Sequence, residues 1–473
     1  MSDKIPVKNI PVPPKPKTVE LYASRKKIYV KEITGFFQKI RSVSLWMLMI
    51  MYFATCWIQF DGIQIVLFDL PARKFHLFGT TFWPQDFVLL SWLLIICAFG
   101  LFFITTMFGR VWCGYTCPQT AWTFIFMWIE ERVEGSRNQR MKLDKAENTP
   151  NKLGKKLLKH ALWIFVAFAT GLTFVGYFYP IRELVPDLLS FSIEDGWAYF
   201  WIGFFTVATY ANAGWMREQV CLYMCPYARF QSVMFDKDTL VVSYDPARGE
   251  PRGSRKKNSN PADKNLGDCV DCGMCVQVCP TGIDIRDGLQ YECIGCALCI
   301  DACDQIMEKM NYPKGLISYT TEVNLEGKKS KLLRPKAVGY FAMIIIMISA
   351  VIYSISNRVP LKLDALRDRG SLYQTNAVGF IENGYTLKIV NMVDNQREFV
   401  ISTEGLEGAK ISTRTVVKIG SGEVASIPTV VEIDPGKLDA TNVELRFIVT
   451  ATDDSTVSDS AESRFLGPPT YRR

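Results

Sequence analysis

Eight of the fourteen cysteines stand in two runs of one spacing. Cys269, Cys272, Cys275 and Cys279 form the first, ahead of Pro280, and Cys293, Cys296, Cys299 and Cys303 form the second. Each run reads C-x2-C-x2-C-x3-C. A 4Fe–4S cube needs four thiolates converging on one point. This spacing takes three from a tight loop and the fourth from the other run. One cluster is therefore assigned to Cys269, Cys272, Cys275 and Cys303, and the other to Cys293, Cys296, Cys299 and Cys279. Zinc is the competing chemistry, but its structural sites typically draw on two separated ligand pairs.

A second cysteine motif is also written twice. Cys113-Gly-Tyr-Thr-Cys117-Pro118 and Cys221-Leu-Tyr-Met-Cys225-Pro226 both read C-x-Y-x-C-P. Residues i and i+4 share a helical face, so each pair of sulfurs can meet one ligand. The proline has no N–H to donate and marks a break or a fresh helix start. Four such thiols can bind a soft ion such as Cu(I), cycle between dithiol and disulfide, or hold a further cofactor. The plain alternative is a pair of structural helix ends with buried, inert thiols.

Other ligand types are sparse. His76 and His160 are the only two histidines, and they fall at opposite membrane faces, so a haem held by both is excluded. Cys56 and Cys97 lie inside apolar stretches, where a free cysteine is a small hydrophobe. Met47, Met49, Met51, Met343 and Met347 are read as lipid-facing or core residues rather than copper ligands. Asp61, Asp69, Arg73 and Asp86 are read as a solvated outer loop.

The elements that must carry these motifs are membrane helices. The 473-residue chain is 49% hydrophobic and 13% aromatic. About 20 apolar residues of helix cross a hydrocarbon core, and five stretches qualify: Val43–Phe60, Phe87–Phe108, Ala161–Tyr179, Trp197–Met216 and Ala337–Ile355. Residues 1–41 hold ten basic and three acidic side chains, and residues 109–159 hold ten and five. Residues 181–196 hold one basic and four acidic. With five spans, the positive-inside rule places the N-terminus and the cluster segment in the cytoplasm and residues 357–473 outside. Reduced thiols and iron–sulfur assembly fit the same side. Both C-x-Y-x-C-P motifs then sit at cytoplasmic ends of spans. Thr120–Glu130, aromatic but too short to span, is read as lying in the interface or re-entering the membrane.

The expected architecture is membrane α-helical (five spans) with a cytoplasmic twin-cluster ferredoxin-like insertion and a C-terminal all-β immunoglobulin-like sandwich. Its parts are a disordered tail over 1–34, a four-span domain over 35–216, and a motif and linker over 217–265. A ferredoxin domain over 266–312, a basic connector over 313–336, a fifth helix over 337–356 and the sandwich over 357–473 follow. The sandwich is read from short β-branched runs at Tyr385–Val393, Arg397–Ser402, Lys410–Lys418, Val424–Glu432 and Asn442–Thr450.

The combination resembles one family, the cytochrome c oxidase accessory proteins CcoG, FixG and RdxA, over residues 35–460. The stretch Asp69-Leu-Pro-Ala-Arg-Lys-Phe-His76 is similar to their outer-loop signature. The resemblance implies an inner-membrane protein that reduces Cu(II) to Cu(I) in assembly of a cbb3-type cytochrome c oxidase. It implies copper as a transient substrate or cargo at Cys113, Cys117, Cys221 and Cys225, and a copper-transporting P-type ATPase and oxidase subunits as partners. One departure is Asp304 after Cys303, where ferredoxins often have proline. No Gly-rich dinucleotide fingerprint is evident, so the electron donor is external and cytoplasmic; no nucleic-acid partner is expected. Two other functions fit the same motifs. One is a carrier similar to NapH or NosR that serves a quinone or a protein; the other is a non-enzymatic copper-binding scaffold.

Overall fold

The computed structural model describes residues 27–193, 196–257, 265–331, 333–356, 359–393, 395–438 and 440–468. They form two compact units. The first is built from residues up to Thr81 with Ala98–Phe341, and the second from Phe82–Cys97 with Ala342 onward.

Among the described residues, nine helices carry the membrane-proximal part: α1 (Phe36–Thr55), α2 (Phe87–Phe108), α3 (Val111–Tyr115), α4 (Pro118–Glu134), α5 (Arg137–Lys145), α6 (Pro150–Val175), α7 (Ile181–Ser190), α8 (Gly196–Thr209) and α9 (Pro226–Met234). Of the described helices, α2, α6 and Pro335–Ser356 are long and apolar enough to cross a bilayer. The other two expected spans are less regular. Helix α1 starts earlier than its apolar stretch and stops at Thr55, because Gln59–Phe60 pairs with Ile63–Gln64 in a small hairpin. Its first turns carry Lys39 and Arg41, and Arg41 is buried. Helix α8 gives way at Tyr210 to a π-helical stretch, Tyr210–Met216. The wider turn leaves the Asn212 carbonyl to accept both the Arg217 N–H at 2.8 Å and Gln119 Nε2 at 2.9 Å. π-bulges of this kind cluster at functional positions.

The ferredoxin-like body is larger than the cysteine runs indicate. Strand Val241–Tyr244 pairs antiparallel with Ile317–Thr320, Val241 opposite Thr320, and closes the body from residues outside 266–312. Much of the expected linker also belongs to it. Pro246–Gly249 is a short helix capped by Asp245, Gly253 N–H reaches Cys269 O at 3.2 Å, and Arg248 Nε pairs with Asp268 at 2.6 Å. Residues 258–264 lie outside the described residues.

The expected disordered tail is corrected over residues 27–34, which are held by hydrogen bonds; residues 1–26 lie outside the described residues. Lys31 N–H donates to Gln277 O at 2.8 Å, Arg137 Nε to Tyr29 O at 2.8 Å, and Arg140 Nη2 to Val30 O at 2.6 Å. Helix α1 receives its N-cap from another chain segment. The Asp301 carboxylate, on the cluster helix Leu298–Met310, accepts the N–H groups of Phe37 and Gln38 at 3.2 and 2.8 Å. That satisfies orphan donors and sets negative charge at the positive helix end. Gly35 is needed there, since a Cβ would lie 2.2 Å from Asp301 Cγ.

A buried ion network ties the N-terminal segment to the helices. Glu130 on α4 is fully buried and pairs with Arg217 at 2.8 Å, Lys27 at 3.3 Å and Arg140 at 3.6 Å. One turn on, Glu134 pairs with Lys156 and Lys159 at 2.9 and 2.8 Å.

The second unit contains a β-sandwich. One sheet runs Lys410–Ile411, Val424–Ile433, Ile381–Asn391, Leu361–Arg367, with Gln374–Thr375 also on Ile381–Asn391; the other runs Val416–Ile419, Arg397–Glu404, Asn442–Ala451, Ser458–Leu466. Alternating inward residues, among them Leu387, Ile389, Phe399, Phe447 and Phe465, make its core. The sequence reading missed the strands Leu361–Arg367, Gln374–Thr375 and Ser458–Leu466; the outward positions Ser458, Ser460, Glu462 and Arg464 of the last are charged or small. It also joined Lys410–Ile411 to Val416–Ile419, which lie in different sheets.

The Glu130 carboxyl yields a pH prediction. Burial opposes its charge, yet Arg217, Lys27 and Lys159 outweigh burial and hold its pKa down to about 2. The folded value lies below the unfolded one of about 4.3, so its stabilisation is present above that pH and is lost as pH falls toward 2. Glu130→Gln should cost about 3–5 kcal/mol at neutral pH. Thermal unfolding in detergent should show the gap from wild type close as the pH is lowered. Equal melting temperatures at pH 7 would refute the role.

Candidate functional site

The two cysteine runs fold on one backbone plan. In the first, Asp271 and Gly273 take left-handed φ of 53° and 63°; in the second, Gly295 and Ala297 take 66° and 60° at the equivalent positions. This repeated curl winds each loop around its thiols. The last cysteine of each run lies near thiols of the other run. Burial, and the charges of Cys275, Cys269 and Cys272 next to it, push the Cys303 thiol up to about 12. Cys293, again raised to about 12 by burial, lies within the influence of Cys296 and Cys279. Thiols crowded in apolar surroundings hold their charge only against a metal, and eight of them in two such runs suit 4Fe–4S groups. Among the described residues, no three His, Cys, Asp or Glu side chains converge tightly enough for a single ion; a cube stands its thiolates farther apart.

Asp304 has a local task. Its carboxylate accepts the Gly315 N–H at 2.9 Å, tying the cluster helix to the loop ahead of Ile317–Thr320.

The two C-x-Y-x-C-P motifs also share a plan, and it corrects the single-helix reading. Cys113 lies in the short helix α3, but Cys117 is extended and is the N-cap of α4, whose first residue is Pro118. Cys221 lies in a π-turn, Val220–Met224, and Cys225 is the extended N-cap of α9, which starts at Pro226. In both, the second cysteine's N–H closes five residues back, Cys117 to Trp112 O at 2.9 Å and Cys225 to Val220 O at 2.8 Å. The turn breaks because the proline cannot carry the ladder through.

Reciprocal bonds knit the repeats together. Arg110, ahead of the first motif, donates to Ala228 O on the helix after the second. Arg217, ahead of the second, pairs with Glu130 on the helix after the first. Gln119 Nε2 donates to Asn212 O and, at 3.2 Å, to Arg217 O. The Cys113 thiol donates to Gln231 Oε1 at 3.2 Å, and fully buried Gln231 donates in turn to Thr105 Oγ1 at 3.3 Å. The four thiols are near enough to act on one another's charge. Burial first, then the neighbouring thiols, raises Cys113 to about 12 and Cys221 to about 11, while Arg110 pulls both back. Cys117 is likewise raised by burial.

The first motif is seated directly on the loop of the second cluster run. Arg41 Nε donates to Gly114 O at 3.1 Å, and Tyr115 Oη donates to Cys296 O at 3.3 Å. Arg110 Nη1 donates to Tyr291 O at 2.5 Å and Cys293 O at 3.2 Å. A Cβ on Gly114 would stand 3.0 Å from both Cys296 Cα and Ile294 O. A cavity of about 40 Å³ between the elements is lined by Gln119, Thr120, Arg217, Cys221 and Thr281 among others.

The remaining candidates serve structure. His160 Nδ1 meets Tyr210 Oη at 2.8 Å and His76 Nδ1 meets Thr81 Oγ1 at 3.0 Å, so each has a local partner. Cys56 is buried and Cys97 exposed. Met49 and Met347 are core residues, whereas Met47, Met51 and Met343 are exposed. Asp69 and Asp86 accept backbone N–H groups of nearby turns. Sequence reading missed Arg110, Gly114, Gln231 and Asp301. An arginine just ahead of each motif was the available signal for the first; the rest act through contacts distant in sequence.

A 4Fe–4S dicluster domain model matches residues 216–322, and a 4Fe–4S binding domain model matches 90–132. Residues 351–468 match the immunoglobulin-like fold at the C-terminus of FixG, described as a putative oxidoreductase. The nitrogen fixation protein FixG of Rhizobium meliloti is 36% identical over 426 residues, covering 82% of this chain and 81% of that protein. The chain belongs to the FixG/RdxA family. RdxA of Cereibacter sphaeroides is 38% identical over 83% of this chain and 85% of its own, and RdxB 37% over 87% and 89%. Family membership and the two 4Fe–4S models make this a membrane iron–sulfur protein of electron transfer. The model over 90–132 holds Cys113 and Cys117, and the dicluster model begins ahead of Cys221 and Cys225.

Gly114→Ala tests the seating of the motif. Overpacking against backbone should cost about 1–3 kcal/mol, with a lower melting temperature and less iron bound per chain. Unchanged values for both would mean that the contact yields freely.

Proposed function

We propose that this protein reduces Cu(II) to Cu(I) at the membrane surface and hands the product to assembly of a cbb3-type cytochrome c oxidase. The observation that carries the reading is the packing of Gly114 and Tyr115, inside the first thiol motif, against the Ile294–Cys296 loop. Cys269, Cys272, Cys275 and Cys303 would hold one 4Fe–4S cluster, and Cys293, Cys296, Cys299 and Cys279 the other. When bound, such clusters supply single-electron transfer, which matches the one-electron change of copper.

Cys113, Cys117, Cys221 and Cys225 receive the substrate ion. Soft thiolates prefer Cu(I) to Cu(II), so the same side chains that bind copper favour its reduced state. Gln231 orients the Cys113 thiol, and Arg110 places a fixed cation beside Cys113 and Cys221. In this reading the N-terminus and cluster body are cytoplasmic, the chain has five spans and the β-sandwich lies outside, which the flanking basic segments support. A copper-transporting P-type ATPase would share the copper, and oxidase subunits would be the destination.

Replacing Cys113 and Cys117 together by serine should abolish Cu(I) production, read with a Cu(I)-specific chelator after anaerobic reduction, and leave iron content unchanged. Undiminished Cu(I) production in that variant would refute the assignment and point to a different acceptor.

A further inference from the structure

The tyrosine of the repeated C-x-Y-x-C-P motif is used differently in its two copies. Tyr115, in the first, is buried and donates to the cluster loop at Cys296 O. Tyr223, in the second, is 73% exposed, and Met224 beside it is exposed too. The bare surface continues onto α9, the helix that Cys225 caps. Ala228 and Gln231 share one face of α9 and are buried. Phe230 and Val233 share the opposite face and are 63% and 82% exposed.

The place of α9 in the fold says what covers this face. At its start, Tyr227 Oη and Thr105 Oγ1 are 2.9 Å apart, and Thr105 lies in the last turn of α2. At its end, the Met234 carbonyl accepts from Lys336 Nζ at 2.8 Å, and Lys336 lies in the first turn of Pro335–Ser356. Both neighbours are long and apolar enough to cross a bilayer. The C-terminal end of one and the N-terminal end of the other therefore hold α9 level with the point where two spans leave the hydrocarbon. Among the described residues, α2 buries only Thr105 and Thr106, so the exposed face of α9 is continuous with a wall that meets lipid.

Charge selects the kind of lipid. Residues 328–336 hold five basic side chains and no acidic one, and Arg229 is exposed on α9 itself. Tyrosine favours the boundary between hydrocarbon and water. Short apolar faces flanked by basic residues settle among anionic headgroups. We propose that Tyr223, Met224, Phe230 and Val233 lie in the headgroup layer of an anionic membrane, which seats the second thiol pair as the cluster loop seats the first. The proposal does not depend on which acceptor the thiols serve.

The test uses the full-length protein, clusters loaded, in nanodiscs of phosphatidylcholine and phosphatidylglycerol in equal parts. The photo-crosslinker p-benzoylphenylalanine replaces Phe230 or, separately, Val233, and the irradiated chain is weighed. Both positions are exposed, so iron content should match wild type. Each should gain the mass of one phospholipid. Phosphatidylglycerol should be captured roughly fivefold more often than phosphatidylcholine, the preference expected of one basic residue near an anionic surface. The same probe at Lys309, exposed on the cluster helix, should capture no lipid. A second arm joins Phe230→Glu and Val233→Glu, which the anionic layer repels. Peptide by peptide, maleimide should then label Cys221 and Cys225 several-fold faster than in wild type, with Cys113 and Cys117 unchanged. A crosslink to a second copy of the chain in place of lipid, no adduct at either site, equal capture of the two lipids, or equal capture at Lys309 would overturn the proposal. Unchanged labelling of Cys221 and Cys225 would overturn the seating of the second pair.

Discussion

The Arg110 guanidinium holds three parts of this protein in one place. Buried at the junction of α2 and α3, it donates to carbonyls of the second cluster loop and of helix α9. Hydrogen bonds from a charged donor are worth about 1.5–3 kcal/mol each, and a planar fork delivers them in fixed directions. The first thiol motif follows three residues later, so its distance from the cluster loop is set by the same side chain. Electron transfer between sites depends on such distances, and here a rigid group sets them rather than a flexible linker.

The rest of the membrane edge follows a similar economy. Glu130 and Glu134 stand one turn apart on α4 and face five cations, all but Lys27 buried or half-buried. A buried ion is costly unless paired, so these partners must arrive together. Lys27 and Arg140 bring the N-terminal segment and α5, while Arg217 brings the second thiol motif. Asp301 works in the same sense from the cluster side by capping α1. The cluster body and the helices are thus joined through charge-assisted contacts, each with a defined geometry.

Much was legible because some chemistry forces spacing. The two cysteine runs announced thiols for clusters, and in the fold Cys303 lies near cysteines of the first run and Cys279 near cysteines of the second. The repeated C-x-Y-x-C-P motif announced a structural repeat, and the shared five-residue closure bears it out. Period-two alternation located most of the sandwich. Of the strands it missed, Ser458–Leu466 turns charged or small residues to solvent, where propensity says little and pairing decides.

What the sequence by itself determined is therefore the inventory: which thiols can serve clusters, which can serve a soft ion, and which segments are apolar enough to meet lipid. Ligand number and hydrophobic length are local properties, so they are written locally. Only the tertiary structure decided how these parts adjoin. The seating of Gly114 on Cys296, the cap that Asp301 gives α1, and the closing pair Val241–Tyr244 with Ile317–Thr320 all join residues far apart in the chain. Each depends on backbone carbonyls and amides, which every residue carries, and no residue type marks in advance which of them will meet.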